Sequence, residues 1–275
     1  MLLTGKEYLE SIRDGRRVYV GRERVDDVTT HPAFRNAAQS FAAIYDRKRA
    51  SDNYAVMAAE ENGETFSSYF LLPRTREDLQ KRFETHRRIA SWSHGLLGRS
   101  PDNFPSYLCG LVMDPAMFDG IRQGFGDNIK NYYKHMRSND LFVSHTVTNP
   151  QGWRMAELKN AEKRTPPTLR VVEENDAGVT INGLKMLGTA TVFCHETWCG
   201  NLQPVAGGSK RSRSPAQCRS MPRALASGRA SHMRNTRSAS LTILWLLAST
   251  RTMPPCCLKT SRCRGSVCSV TITSR

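Results

Sequence analysis

The sequence predicts an α+β fold in which a helical N-terminal domain is followed by an incomplete β domain. Apolar residues recur at helical spacing through residues 75–138. Beyond that region they fall in short runs rich in Val, Thr and Ile, as in strands. From about residue 208 neither period is present. We therefore expect a helical domain at 1–140, a partial β domain at 141–207 and an unstructured tail at 208–275.

The first 73 residues predict two short strands and a helix. The stretch DGRRVYVGRERV favours strands on either side of Gly21. HPAFRNAAQSFAAIYD favours a helix with Pro32 in its first turn, where a missing amide hydrogen is tolerated. Helical spacing gives this helix one buried side, formed by Phe34, Ala38, Phe41 and Ile44.

A longer helix is predicted over residues 75–98. Thr75 is a good N-cap and Asp78 stands at the capping-box position, while Gly98 ends the segment. Its apolar contacts are expected from Leu79, Phe83, Ile89 and Leu96.

Two further helices are predicted before the pattern changes. After Pro101, one helix has the apolar positions Phe104, Leu108, Val112 and Phe118. The next covers about 127–138 and has Ile129, Tyr132, Tyr133 and Met136.

Strands are predicted after Asp140. LFVSHTVT has strand character, and LRVVEENDAGVTINGLKMLGTATV predicts successive strands. The second stretch is divided by a turn at Asn175–Gly178 and by a hairpin turn at Asn182 and Gly183, with a strand from Leu184 onward.

The basic charge of the chain is confined to its last part. The formal net charge is +15, from 40 basic and 25 acidic residues, and no acid follows Glu196. Up to residue 205 the two signs nearly balance, so a polyanionic partner is indicated for the tail alone. The N-terminus has no basic segment followed by an apolar run, so we expect a cytoplasmic protein with reduced thiols and no membrane span.

Three stretches together resemble one enzyme family. They are TGKEYLESIRDGRRVYVGRERVDDVTTHPAF at 4–34, HGLLGRSPD at 94–102, and HTVTNPQGWR at 145–154 followed by LRVVEENDAGVTINGLKMLGTAT at 169–191. In this order and spacing they are similar to the large, oxygenase component of 4-hydroxyphenylacetate 3-monooxygenase, a reduced-flavin-dependent phenol hydroxylase.

The resemblance implies a fold and a reaction. The fold is acyl-CoA-dehydrogenase-like, with an N-terminal helical domain, a middle β domain and a C-terminal helical bundle, which we expect to be missing here. A separate flavin reductase supplies FAD as FADH2, which reacts with O2 to give a flavin C4a-hydroperoxide. This intermediate transfers oxygen ortho to the hydroxyl of a phenol. Intact members are expected to be homo-oligomers.

The resemblance also implies site residues. Arg99 and His145 would hold the phenol oxygen and favour its ionised form, which reacts faster. The flavin would contact Gln151, Gly152, Trp153 and Arg154, with Thr189 beside its ring system. At position 103 the family commonly has Tyr against the phenol oxygen, whereas this chain has Asn103. Because an amide is shorter and lacks a ring, the resemblance implies a phenol of the 4-hydroxyphenylacetate type but leaves open which one.

A sibling with the same fold is 4-hydroxybutyryl-CoA dehydratase, which adds an iron–sulfur cluster. Such a cluster needs a close pair of cysteines in the helical domain. Here Cys109 is the sole cysteine before Cys194, so this alternative is weaker.

The tail admits three interpretations. A metal site would use Cys256, Cys257, Cys263 and Cys268, but they lack paired CxxC spacing. A basic nucleic-acid-binding arm explains the arginines but not the simultaneous loss of acids and gain of cysteines. The third interpretation is a change of reading frame.

A frame change can be tested on the sequence itself. With one permitted codon choice for residues 259–267, starting each codon one nucleotide earlier gives EDVKVPWER, which is similar to this family. Residues 224–233, 235–245 and 249–257 give family-like text in the same phase. We therefore expect the frame to slip between about Val205 and Arg211, and the 275-residue chain to be inactive.

Overall fold

The computed structural model describes residues 1–120, 123–148 and 184–200, and elsewhere only the backbone of short strands. Its helices are α1 Gly5–Ser11, α2 Arg35–Arg49, α3 Ser51–Met57, α4 Arg76–Trp92, α5 Asn103–Met113, α6 Ala116–Asp119 and α7 Phe125–Ser138. Its strands are β1 Val18–Val20, β2 Glu23–Val25, β3 Ala58–Glu61, β4 Glu64–Ser67, β5 Val143–Thr146, β6 Arg170–Asn175, β7 Gly178–Asn182, β8 Glu196–Cys199, β9 Ala224–Ala226, β10 Ser231–His232, β11 Leu258–Lys259 and β12 Thr271–Ile272.

The chain divides into two compact units. The first unit comprises Met1–Arg16, Val25–Ser144 and Phe193–His195, and the second comprises Arg17–Arg24, His145–Val192 and Glu196–Arg275. The first unit holds the helices and the β3–β4 hairpin. The second unit holds the β6–β7 hairpin. It also contains residues of β5, β8 and β9, which form a three-stranded sheet in the order β5-β8-β9. The predicted tail lies outside the described residues apart from the backbone of β9 to β12.

Helix α2 begins later than the sequence predicts. It starts at Arg35, because the chain at Pro32 is still in a turn in which the Phe34 amide donates to the His31 carbonyl at 2.9 Å. The predicted buried side is confirmed at Ala38, Phe41 and Ile44, while Phe34 is half-buried at the cap.

Helix α4 confirms its predicted start and corrects its predicted end. Thr75 and Asp78 form the reciprocal capping box. The helix ends at Trp92, since His94 and Gly95 adopt left-handed backbone and the Gly95 amide returns to the Ala90 carbonyl at 2.9 Å. Gly95, not Gly98, therefore stops the helix.

The predicted apolar contacts of α4 are mostly wrong. Ile89 is buried, but the exposed fractions of Leu79, Phe83 and Leu96 are 57%, 66% and 84%. The helix instead buries Arg82, whose Nη1 donates to the Tyr69 carbonyl at 3.0 Å. A polar side chain that satisfies carbonyls of a neighbouring turn can thus decide which face of a helix is buried.

The helix predicted after Pro101 is divided into two. Pro115 lacks an amide hydrogen, so α5 ends at Met113 and α6 begins at Ala116. The side chains predicted to be apolar contacts in this region and in α7 are confirmed as buried: Phe104, Leu108, Val112, Phe118, Ile129, Tyr132, Tyr133 and Met136.

The strand predictions hold in part. Strands β1 and β2 flank Gly21, which has φ +63°, and β6 pairs with β7 so that Asn175 faces Gly178. The strand expected from Leu184 onward is reduced to isolated bridge residues at Leu184 and Met186, and Met186 pairs with Thr148. The predicted turn residue Gly183 lies outside the described residues.

Helices α1 and α3 and the β3–β4 hairpin were not predicted, although two of them have local signals. Thr4 and Glu7 form a second capping box at α1. Asn62 and Gly63 both have positive φ, as the two-residue turn of a β3–β4 hairpin requires.

A buried ion pair stands at the centre of the first unit. The Lys48 ammonium donates to Asp140 Oδ2 at 2.7 Å, and both side chains are fully buried. Ser67 and Tyr69 donate to Asp140 Oδ1 at 2.6 and 2.8 Å, and the Leu3 amide donates to Oδ2 at 3.0 Å. Burial lowers the pKa of Lys48. These donors occupy the oxygens of the carboxylate and so offset part of the cost of burying the two charges.

A half-buried histidine also belongs to this unit. The Phe142 amide donates to His195 Nδ1 at 2.8 Å, so the ring proton lies on Nε2, 2.7 Å from Ser11 Oγ. The Ser11 hydroxyl in turn donates to the Tyr8 carbonyl at 2.6 Å. Burial, aided by the charge of Arg16, lowers the pKa of His195 to about 4. The imidazole is therefore neutral in the folded chain near pH 7.

Removal of the buried ammonium is expected to destabilise the first unit. Lys48→Met leaves the Asp140 carboxylate buried without its cation, so the free energy of unfolding should fall by about 3–5 kcal/mol in urea titrations. The control is Lys130→Met, which removes an exposed pair with Asp127 and should cost less than about 1 kcal/mol. Equal losses in the two variants would contradict a central role for Lys48.

The histidine is expected to make stability depend on pH. Between pH 6.5 and about 4 the unfolded chain binds a proton at this side chain that the folded chain does not. The contribution of the histidine to the free energy of unfolding is therefore lost as pH falls. His195→Gln cannot titrate and keeps a polar group at the site. The difference in unfolding free energy between wild type and His195→Gln should shrink as pH falls from 6.5 to 4. A difference that is constant over this range would contradict the assignment.

Candidate active site

Arg99 lies in the loop that joins α4 to α5. The left-handed residues His94 and Gly95 turn the chain away from the helix axis, and the loop continues through the exposed Leu96. Arg99 is half-buried, and its Nη1 donates to the Gly98 carbonyl at 2.8 Å. The loop thus presents a guanidinium group four residues before Asn103.

Asn103 is the first residue of α5 and Asp102 is its N-cap. His86 on α4 holds Asp102, with Nδ1 at 2.5 Å from Oδ2. Among the described residues, Asp102 Oδ1 and Asn103 Oδ1 are both buried without a hydrogen-bond partner. Two adjacent acceptors of this kind suit a donor such as a hydroxyl group or water.

His145 lies in β5 and is half-buried. Its neighbour Thr146 is buried, and its Oγ1 donates to the Met186 carbonyl at 2.9 Å. The Gly200 amide donates to the Thr146 carbonyl at 3.0 Å. Hydrogen bonds of the Thr146 side chain and of its carbonyl therefore fix the strand that carries His145.

Thr189 lies exposed in a tight loop at 187–191. Thr191 closes the loop by donating its Oγ1 hydrogen to the Gly188 carbonyl at 2.7 Å. A Cβ at Gly188 would lie 2.4 Å from Thr191 Oγ1, so a larger residue here would displace the Thr191 side chain. Ala190 has φ +62°, a strained value for a residue with a side chain.

Within the second unit, the structure brings the strand of His145 and the loop of Thr189 together. The Met186 amide donates to the Thr148 carbonyl at 2.9 Å, and Gly188 lies against Thr146. Arg99 and Asn103 share one end of α5 in the first unit. The predicted flavin contacts Gln151, Gly152, Trp153 and Arg154 lie outside the described residues.

Lys185 lies in the same part of the second unit and was not selected from the sequence. Burial lowers its pKa to about 8, and its Nζ donates to the Gly200 carbonyl at 2.7 Å. A lysine between Gly183 and Met186 is expected to be exposed on the surface of a strand. Its burial depends on tertiary packing, which no local pattern encodes.

Cysteines, side chains of the types that bind metals, and helices all occur in the part of the chain that the structure describes. Cys109, Cys194 and Cys199 are buried and form no disulfide within the described ranges. No three His, Cys, Asp or Glu side chains in the described ranges are grouped as metal ligands. None of the described helices combines the length and the apolar composition needed to cross a bilayer.

The chain matches known proteins over its first three quarters. The sequence profile of the 4-hydroxyphenylacetate 3-hydroxylase N-terminal family matches residues 4–212. The oxygenase component of 4-nitrophenol 2-monooxygenase from Rhodococcus sp. is 38% identical over 197 residues, which are 70% of this chain and 36% of the relative. The 4-hydroxyphenylacetate 3-monooxygenase oxygenase component from Geobacillus sp. is 34% identical over 187 residues, 68% of this chain and 38% of the relative.

Solved structures agree with the sequence matches. The oxygenase component of 4-hydroxyphenylacetate 3-monooxygenase, in complex with FAD and 4-hydroxyphenylacetate, superposes with a TM-score of 0.66 at 29% identity. The match covers 76% of this chain and 43% of that one. An archaeal 4-hydroxybutyryl-CoA dehydratase from N. maritimus has a TM-score of 0.65 at 18% identity, which is a likeness of fold alone.

These comparisons establish family and fold. The chain spans well under half the length of these relatives. The resemblance in the stretches at 4–34, 94–102 and 145–154 is confirmed by the profile match. The chain has the acyl-CoA-dehydrogenase-like fold of its neighbours and belongs to the 4-hydroxyphenylacetate 3-hydroxylase N-terminal family.

Proposed function

We propose that this chain is the N-terminal part of the oxygenase component of a two-component aromatic monooxygenase. The reaction is hydroxylation of a phenol ortho to its hydroxyl group. The observation that carries the proposal is the ordered match over residues 4–212, which includes Arg99, His145, the stretch NPQGWR and Thr189. The relatives matched over this range are named as oxygenase components of phenol monooxygenases.

The phenol is held through its oxygen. The Arg99 guanidinium and the His145 imidazole favour the phenolate, which is the more nucleophilic form. Asn103 takes the place where the family commonly has Tyr and leaves more room beside the oxygen. The relative named for 4-nitrophenol supports a phenol other than 4-hydroxyphenylacetate.

FAD, supplied in reduced form by a separate reductase, provides the oxygen-transfer chemistry with O2 when bound. Gln151, Gly152, Trp153 and Arg154 would hold it, with the Thr189 hydroxyl at the ring. The exposed position of Thr189 on a loop closed by its own hydrogen bonds suits such a contact. Donors along the ring edge orient the cofactor, and surrounding apolar groups exclude water.

This chain by itself is proposed to be inactive. It spans 36% to 43% of the relatives, so the remaining walls of a phenol and flavin pocket are not among its matched residues. Residues beyond 212 fall outside the family match. This supports a tail that is out of frame from a point between about Val205 and Arg211. The intact protein would be a homo-oligomer of the cytoplasm and would not bind nucleic acid.

The coding DNA tests the proposed tail. If the frame has slipped, one added or removed nucleotide near codons 205–211 restores EDVKVPWER in place of residues 259–267. Acidic residues should reappear along the restored text. Codons that do not encode this text in the shifted frame would contradict the frame change and leave the family assignment intact.

Activity assays test the function and the inactivity separately. The 275-residue chain, mixed with a flavin reductase, FAD, NADH and 4-nitrophenol, should give no hydroxylated product by chromatography. The frame-restored protein should give product, and its Arg99→Met variant should be slower by about 100-fold because a cation that stabilises the phenolate is lost. Turnover by the short chain would refute its inactivity. A restored protein that oxidises no phenol would refute the proposed function.

A further inference from the structure

Three polar side chains form a series of hydrogen bonds between α4 and the start of α5. Asp102 Oδ2 is 2.5 Å from His86 Nδ1, and His86 Nε2 is 3.3 Å from Ser106 Oγ. The exposed fractions of the Asp102 and His86 side chains are 9% and 31%, and Ser106 is exposed. The hydrogen bonds therefore connect a buried carboxylate to a hydroxyl that solvent can reach.

The hydrogen bonds decide where the protons lie. The Asp102 carboxylate accepts from Nδ1, so neutral His86 carries its proton there and presents a lone pair at Nε2. The Ser106 hydroxyl can donate to this lone pair or to the Asp102 carbonyl, each at 3.3 Å. A serine next to a histidine that a carboxylate orients is the arrangement that activates a nucleophile.

A fourth group stands on the same side of α5. Asn103 precedes Ser106 by three residues, so both side chains share one helical face. The Asn103 amide is a donor of the type that stabilises a developing oxyanion. Its Oδ1 and Asp102 Oδ1 are buried and have no hydrogen-bond partner within the described residues.

We propose that Ser106 is an activated serine, with His86 as its general base and Asp102 holding the imidazole, and that it reacts with small activated esters. The proposed reaction requires neither flavin nor O2, although Asn103 also belongs to the proposed phenol site. Ser106 Oγ bonds to the ester carbonyl carbon and its proton passes to His86 Nε2. The ester C–O bond then breaks and the leaving alkoxide takes that proton. Water afterwards releases the carboxylic acid and restores the serine.

The chain provides a matched serine without this chemistry. Ser40 is also exposed on a helix, and its hydroxyl donates to the Asn36 carbonyl four residues earlier at 2.9 Å. Ser106 has the same backbone relation to Asp102 but also has the imidazole of His86. A difference in reactivity between the two serines therefore reports on the histidine and not on exposure or helix geometry.

A fluorophosphonate probe tests the proposal on the 275-residue chain. The serine oxygen bonds to phosphorus, the P–F bond breaks and fluoride leaves, so peptide mass spectrometry locates the adduct. Ser106 should be labelled ahead of every other serine, Ser40 included, and labelling should stop in urea. Ser106→Ala should remove the adduct and Ser40→Ala should leave the rate unchanged.

The histidine variant separates an activated serine from an accessible one. His86→Gln should slow labelling of Ser106 by about 100-fold, as loss of a general base does. Its circular dichroism melt identifies any loss of folding. In the wild type, labelling that is absent at Ser106 or no faster than at Ser40 would overturn the proposal. So would a Ser106 rate in a folded His86→Gln variant equal to that of the wild type.

Discussion

The pairing of Lys48 with Asp140 is the constraint on which the first unit depends. A charge buried without water must be neutralised and hydrogen-bonded, so every group around this carboxylate has a fixed place. Lys48 comes from α2, Ser67 and Tyr69 come from β4 and the turn after it, and the Leu3 amide comes from the N-terminus. One carboxylate thereby joins four segments that are distant in sequence.

Two further polar contacts extend this pattern to neighbouring elements. His195 accepts from the Phe142 amide and reaches Ser11, which joins the end of the helical region to α1. Arg82 satisfies carbonyls after β4 and so orients α4. Because each contact satisfies backbone groups that would otherwise be buried alone, polar side chains specify how apolar helices pack.

Arg99 and Thr189 lie in loops, Asn103 is the first residue of a helix, and His145 lies within a strand. Arg99 and Asn103 stand at the start of α5, His145 is in β5, and Thr189 is in a loop that Thr191 closes. Thr189 is exposed, whereas Arg99, Asn103 and His145 are half-buried. The same end of α5 also carries the Asp102–His86 pair. One helix start therefore supports both the phenol contacts of the proposed oxygenase and the activated serine proposed here.

The sequence by itself determined family, element types and several boundaries, because these depend on local patterns. The Thr75 capping box and the buried residues of α7 follow from spacing along the chain. Only the tertiary structure decided which face of α4 is buried and that Lys48 is buried. Leu79 and Phe83 are exposed while Lys48 is fully buried, the reverse of what hydropathy indicates, since partners distant in sequence decide whether a polar group can leave water. For the same reason no spacing along the chain could pair His86 with Asp102, on two different helices.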